Sequence, residues 1–258
     1  MLHKPGSRFR RVYMTLLFLF GTPIKNLIPV GATIVVLGEL LVLLSYGTLK
    51  RTQELATNGV YAVTRNPVYA GAILANIGFF ILAGAGLAGI SHLAPKAAIL
   101  PYVLRFGTVY VNPIVLIVGV TFLIFIIHHF LRRIKNEEKK LSEVFGESYA
   151  EYQKRVPTRL LPYPPAFGRM DWLLFTFSME TAFKNRVFSR VLKYGIWLVL
   201  FLGKEALIHD IHEFTQGNFK CLYQHQHFWV FVGFLLGFIL LHIVAWRLQD
   251  RFESYRNR

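Results

Sequence analysis

The chain of 258 residues is 54% hydrophobic and only 17% charged, yet it carries 29 Lys and Arg against 14 Asp and Glu, a formal net charge of +15. Its 15% aromatic content excludes a disordered chain, and the lone Cys221 excludes an intrachain disulfide scaffold. Two classes remain: a nucleic-acid binder, or a membrane protein whose basic residues lie on one side.

In chain order, Arg8, Arg10 and Arg11 precede an apolar stretch and imitate the start of a signal peptide. No small-x-small cleavage site follows, so residues 9–28 read as an uncleaved first span, interrupted by Pro23 and Lys25. Thr22-Pro23-Ile24-Lys25-Asn26 then reads as the turn of a helical hairpin. About 20 apolar residues suffice to cross a bilayer, and such runs recur at 30–49, 68–90, 113–131, 191–208 and 228–246. Glu39, Lys204 and Glu205 fall inside these runs, where ionisable groups face a cavity or a partner; Glu39 is a candidate for the lining of a substrate path. Gly84-Ala85-Gly86-Leu87-Ala88-Gly89 fits GxGxxG, but no strand–helix unit accompanies it. Small residues for close helix packing are the better reading.

Between spans, residues 132–150 are helix-like, with Gly146 placed to break the helix, and 156–165 is irregular and proline-rich. The basic stretch 185–193 suits a path along anionic headgroups. His209, Asp210, His212, Glu213, Cys221, His225 and His227 crowd a loop on the other side. Their types suit zinc or copper, but the spacing matches no strong pattern, so no metal is assigned. His128 and His129 close the 113–131 run as interfacial residues.

Six spans put both termini on one side. The basic residues before residue 12, in 50–67, in 132–193 and after 246 number 24 of the 29, all on that side. The positive-inside rule makes it cytoplasmic. A nucleic-acid binder would not alternate its charge with apolar spans. The expected fold is therefore all-α: a polytopic integral membrane protein of about six transmembrane helices with a cytoplasmic helical region, in contact with membrane lipids.

Two clusters carry possible chemistry. The first is Gly59-Val60-Tyr61-Ala62-Val63-Thr64-Arg65-Asn66-Pro67-Val68-Tyr69-Ala70-Gly71. Pro67 suits a first helical turn, and Arg65 and Asn66 stand beside a helix N-terminus that welcomes an anion. Interfacial anchoring by Arg65, Tyr61 and Tyr69 explains the same residues. The second cluster, Arg133-Ile134-Lys135-Asn136-Glu137-Glu138, puts Arg133 and Glu137 on one helix face at i, i+4. They read either as a ligand-holding pair or as a solvated salt bridge.

Taken in order, Gly59-x-Tyr61-x-x-x-Arg65-x-Pro67-x-Tyr69-x-Gly71, a membrane hairpin, Arg133-x-x-x-Glu137-Glu138-x-x-Leu141-x-x-x-Phe145-Gly146-x-x-Tyr149-x-x-Tyr152-x-x-x-Val156 and then Pro162 resemble the isoprenylcysteine carboxyl methyltransferase family. That family belongs to a wider group of integral-membrane methyltransferases with the phospholipid methyltransferases. The resemblance covers 30–163, making 1–163 a membrane methyltransferase core. Residues 164–258 are then a cytoplasmic connector and two further transmembrane helices.

The resemblance implies methyl transfer from S-adenosylmethionine, bound on the cytoplasmic side, to a lipophilic acceptor such as a prenylated cysteine. It places cofactor contacts on Gln53, Glu54, Leu55, Ala56, Tyr61, Arg65, Asn66, Pro67, Val68, Tyr69 and Glu137, and the substrate-binding arginine on Arg133. Arg133 and Glu137 are the implied catalytic pair. The family commonly has His where this chain has Asn66, which can hydrogen-bond but cannot take a positive charge. A sulfonium donates methyl readily, so such a protein mainly aligns donor and acceptor and excludes water. Two alternatives remain: a phospholipid N-methyltransferase, and an NADPH-dependent sterol-type membrane reductase. The reductases resemble this layout but carry Arg-Asp-Glu and a later Trp, where this chain has Asn136-Glu137-Glu138 and Tyr149. A non-catalytic membrane partner is a third.

Overall fold

Long stretches of Leu, Ile, Val and Phe, with glycine as the main interruption, satisfy their backbone polar groups internally as helices. The computed structural model describes residues 5–21, 24–49, 54–90, 104–106, 109–168, 177–215 and 226–256. Among these, α1 spans Pro5–Phe20, α2 Ile28–Thr48, α3 Val60–Val63 and α4 Pro67–Leu82. Further on, α5 spans Pro113–Arg155, α6 Met179–Lys184, α7 Val187–Thr215 and α8 Gln226–Arg256. The exception to the expected all-helical chain is a small antiparallel sheet of β1 Leu87–Ile90, β2 Leu104–Phe106 and β3 Val109–Val111. Its order is β1-β3-β2, with Leu87 opposite Val111 and Phe106 opposite Val109.

Among the described residues, three helices are long and apolar enough to cross a membrane: α2, α5 and the Trp229–Leu248 part of α8. They coincide with the runs at 30–49, 113–131 and 228–246. The other three runs are helical in whole or in part. The run 9–28 is divided, because α1 ends at Phe20 and α2 begins at Ile28. The run 68–90 is cut short at Leu82, because Gly84, Ala85 and Gly86 all take positive φ (92°, 53° and 82°) and turn the chain toward β1. Gly84 and Gly86 therefore serve a turn into β1, and a Cβ on Gly86 would come 2.8 Å from Leu116 of α5, so Gly86 also permits close packing against a helix. The run 191–208 lies within α7.

The described chain divides into two compact units that both draw on residues before and after 163. One comprises Met1–Val35, Asn76–Ile124 and Leu192–Leu241. In it, the Tyr13 ring stacks on Phe122 at 3.7 Å and its hydroxyl donates to the Asn76 carbonyl at 3.2 Å. The last carbonyls of α1 are capped from elsewhere in the unit: Asn112 Nδ2 donates to Phe20 at 2.7 Å, and Lys204 Nζ donates to Gly21. Lys204 is fully buried and also lies over the Phe18 ring. A cation at a helix C-terminus meets the negative end of the dipole, so Lys204 has a packing role.

The second unit comprises Val36–Ala75, Phe125–Val191 and His242–Arg258. Here α2 and α4 meet backbone to backbone. A Cβ on Gly71 would come 2.5 Å from the Gly38 carbonyl oxygen, and one on Gly38 would come 2.6 Å from the Ala75 nitrogen. Small residues permit this approach. Glu39, next to Gly38, is 5% exposed. The end of α2 is held by Asn185, whose Nδ2 donates to the carbonyls of Tyr46 and Leu49 at 2.8 and 2.9 Å. The basic 185–193 stretch thus caps a helix at its first residue and enters α7 at Val187.

Candidate functional site

Residues 54–69 lead from the end of α2 to the start of α4. Gly59 takes φ 60° and ψ −130°, a conformation that glycine adopts at no steric cost, and this admits the single turn of α3. Thr64 is extended and Pro67 opens α4. The Asn66 carbonyl accepts from the Tyr69 and Ala70 amides, each at 3.1 Å, and so begins that helix.

The partner of this segment is the polar half of α5 and the loop after it. On α5 the buried or half-buried positions Ile126, Phe130, Ile134, Glu138, Leu141 and Phe145 recur every three or four residues. Glu138 stands in that apolar stripe, 5% exposed, so its charge requires partners. It has three. Oε1 accepts from Arg65 Nε at 3.0 Å and from Asn66 Nδ2 at 3.4 Å, and Oε2 accepts from Arg159 Nε at 3.0 Å. Arg65 also donates through Nη1 to the carbonyls of Val156 (2.8 Å) and Pro157 (3.0 Å).

Backbone bonds run alongside. The Arg65 amide donates to Thr158, the Thr64 hydroxyl to Arg159, and the Tyr163 amide to Val63. Gly146, with φ 51° and ψ −120°, breaks α5 as its sequence predicts. The break brings the following turns, with Tyr149, Tyr152 and Val156, into a buried cluster with Leu55, Leu141 and Phe145. The Tyr152 hydroxyl donates to the Tyr61 carbonyl at 2.8 Å. Burial, reinforced by the Glu138 charge, pushes the Tyr149 phenol up to about 12. Burial raises Tyr152 as well. Both are therefore neutral packing groups.

Glu137, one residue earlier on the helix, points the other way. It is exposed, and its Oε1 accepts the Tyr69 hydroxyl at 2.6 Å. The Tyr69 ring lies 4.9 Å from that of Phe130, which neighbours His129. Arg133 is exposed one turn before Glu137. An exposed carboxylate, an aromatic hydroxyl, two rings and an exposed guanidinium thus gather at the start of α4. A carboxylate has two oxygens and Tyr69 takes one, so the set suits a cation beside an anion.

The structure therefore brings Tyr69 to Glu137, Arg65 and Asn66 to Glu138, Leu55 to the tyrosine cluster and Tyr61 to Tyr152. Pro67 is buried and Val68 half-buried at the head of α4. Glu54 is exposed and Ala56 half-buried in the incoming segment, while Gln53 lies outside the described residues. Sequence reasoning missed the roles of Glu138, Arg159, Tyr149 and Tyr152. For Glu138 the signal was its place in the stripe with Ile134, Leu141 and Phe145. For Arg159, in an irregular loop, no periodicity was available to reveal it. The side chains of the 209–227 His, Asp, Glu and Cys cluster lie outside those described, and among the described residues no three metal-ligating groups converge. No protein family, curated protein or solved structure matches the chain.

Proposed function

We propose that this chain is an integral-membrane S-adenosylmethionine-dependent methyltransferase acting on a lipophilic acceptor, of the isoprenylcysteine carboxyl methyltransferase type. In this reading six helices span the bilayer, the basic side is cytoplasmic, and the site lies at that side. The observation that carries it is the meeting of the two motifs. Tyr69 reaches Glu137 over 68 residues of sequence, and Arg65 reaches Glu138 over 73.

The donor set fits the cofactor's charge pattern. Glu137, Tyr69, Asn66 and the 54–56 segment hold the cofactor, and Tyr61 and Pro67 form the buried wall behind them. When bound, the cofactor supplies an electrophilic methyl group on a sulfonium. Glu137 meets a positive charge, oriented by its bond from Tyr69. Arg133 offers a planar fork to an anionic acceptor. Arg65 acts through the loop, because its Nε and Nη1 bind Glu138 and two carbonyls and so fix where Asn66 and Tyr69 stand. A lipophilic acceptor reaches such a site sideways from the bilayer, and a soluble donor reaches it from the basic side.

Calorimetric titration of the purified chain with S-adenosylhomocysteine and, separately, with NADPH tests the reading. Binding of the first alone is expected. Binding of the nicotinamide alone would sink it.

A further inference from the structure

The most exposed large hydrophobic residue described is Leu161, at 74%, and it does not lie on a helix that could cross a membrane. It sits at the tip of Leu160-Leu161-Pro162, whose flanks are both fastened. On one side the Arg159 carbonyl accepts from the Thr64 hydroxyl at 3.1 Å, and on the other the Tyr163 amide donates to the Val63 carbonyl at 2.9 Å. Val63 and Thr64 lie just before Pro67, where the apolar helix α4 begins. The tip is thus held at the level where α4 leaves the polar side. Phe167, 53% exposed, follows in the short 3-10 helix Pro164–Gly168.

The base of the tip is cationic. Arg155 is exposed, with Nη2 donating to the Thr57 carbonyl at 3.4 Å and its guanidinium over the Tyr152 ring, and Arg159 is 54% exposed even though its Nε binds Glu138. A guanidinium has five N–H donors and Glu138 takes one, so Arg159 retains donors for a second oxyanion. A fastened apolar tip with cations at its base is the arrangement that partitions into a headgroup layer: the leucine enters the acyl boundary and the arginines meet phosphate.

We propose that Leu160-Leu161-Pro162, with Arg155 and Arg159, is a docking surface for the headgroup layer of a bilayer that carries anionic lipid. Because Arg159 also binds Glu138, which accepts from Asn66 on its other oxygen, lipid phosphate at Arg159 is linked to the loop bearing Asn66 through that carboxylate. The surface requires a membrane beside the protein and no particular reaction within it.

The test uses the full chain with Cys221→Ser and a nitroxide on Leu161→Cys, in nanodiscs of zwitterionic lipid and of zwitterionic mixed with anionic lipid. Collision of the label with oxygen is compared with collision with a water-soluble nickel chelate. Oxygen should dominate in the mixed bilayer. The nickel accessibility should rise in the zwitterionic one, and in the mixed one when Arg155→Gln or Arg159→Gln is added. A second label at Phe167→Cys should follow the first, so a local fault at one site is recognised. Nickel dominating in both bilayers would overturn the proposal and leave the tip facing water or a soluble partner. Equal depth in both would overturn its anionic half.

Discussion

Arg65 Nε lies 3.0 Å from Glu138 Oε1, with both side chains 7% exposed and a sequence separation of 73. This pair joins the loop before α4 to the polar half of α5. Arg159, 54% exposed, completes it on the other carboxylate oxygen.

The difference in exposure predicts unequal costs. Breaking a buried ion pair by removing one partner costs about 3–5 kcal/mol, because the other charge is stranded. Exposed pairs are worth about 0.2–1 kcal/mol. Glu138→Gln, which strands the buried Arg65 guanidinium, should therefore lower the thermal stability of the purified protein sharply; Arg65→Ala, which leaves Glu138 with Arg159 but strips the Val156 and Pro157 carbonyls of their donor, should lower it less, and Arg159→Ala only slightly. Equal losses for Arg65→Ala and Arg159→Ala would contradict the assignment of Arg65 as the main partner.

Gly146 holds φ 51° and ψ −120°, and a Cβ there would meet nothing within 4 Å. Gly146→Ala should thus act by backbone strain alone, of order 1–3 kcal/mol. Hydrogen exchange should accelerate over 147–156, where Tyr149 and Tyr152 pack, and stay unchanged in α2. Asn should not rescue it, because this ψ lies outside the left-handed helical region.

The α2–α4 crossing predicts a contrast between glycines. Gly71→Ala places a Cβ 2.5 Å from the Gly38 oxygen, whereas Gly233 and Gly237 have open space around theirs. Overpacking of this kind costs about 1–3 kcal/mol. Unfolding in detergent should therefore shift down for Gly71→Ala and not for Gly233→Ala.

Much of this is legible in the sequence. Apolar length marked α2 and the Trp229–Leu248 part of α8 to within a few residues, and the start of α5, because an uninterrupted apolar run satisfies its backbone as a helix. The arrest of α4 at Leu82 was not legible, since it depends on Ala85 taking φ 53°, which alanine seldom does. The meeting of the two motifs came from resemblance, not periodicity. The division of labour between Glu137 and Glu138 was hidden for a physical reason: adjacent residues on a helix point about 100° apart, so one is exposed and the other enters the stripe of Ile134 and Leu141. The cap that Asn185 places on α2 was illegible too, because 136 or more residues separate it from the carbonyls it binds.

Burial raises the Tyr149 phenol from its ordinary value of 10.0 to about 12. A raised folded-state value favours the protonated form, so this contribution is whole below about 10 and is lost as pH rises toward 12. Stability measured from pH 9 to 12 should fall, and Tyr149→Phe should flatten the decline. An unaltered decline would place its cause elsewhere.

The proposed methyl transfer is organised by Glu137. Membranes containing the chain, incubated with S-adenosylmethionine labelled in its methyl group, should yield a labelled lipophilic product that control membranes lack. Glu137→Gln should abolish it while shifting stability by no more than about 0.5 kcal/mol, as expected of an exposed side chain. No labelled product from the parent chain, or undiminished transfer by the Glu137→Gln variant, would contradict the proposed methyl transfer.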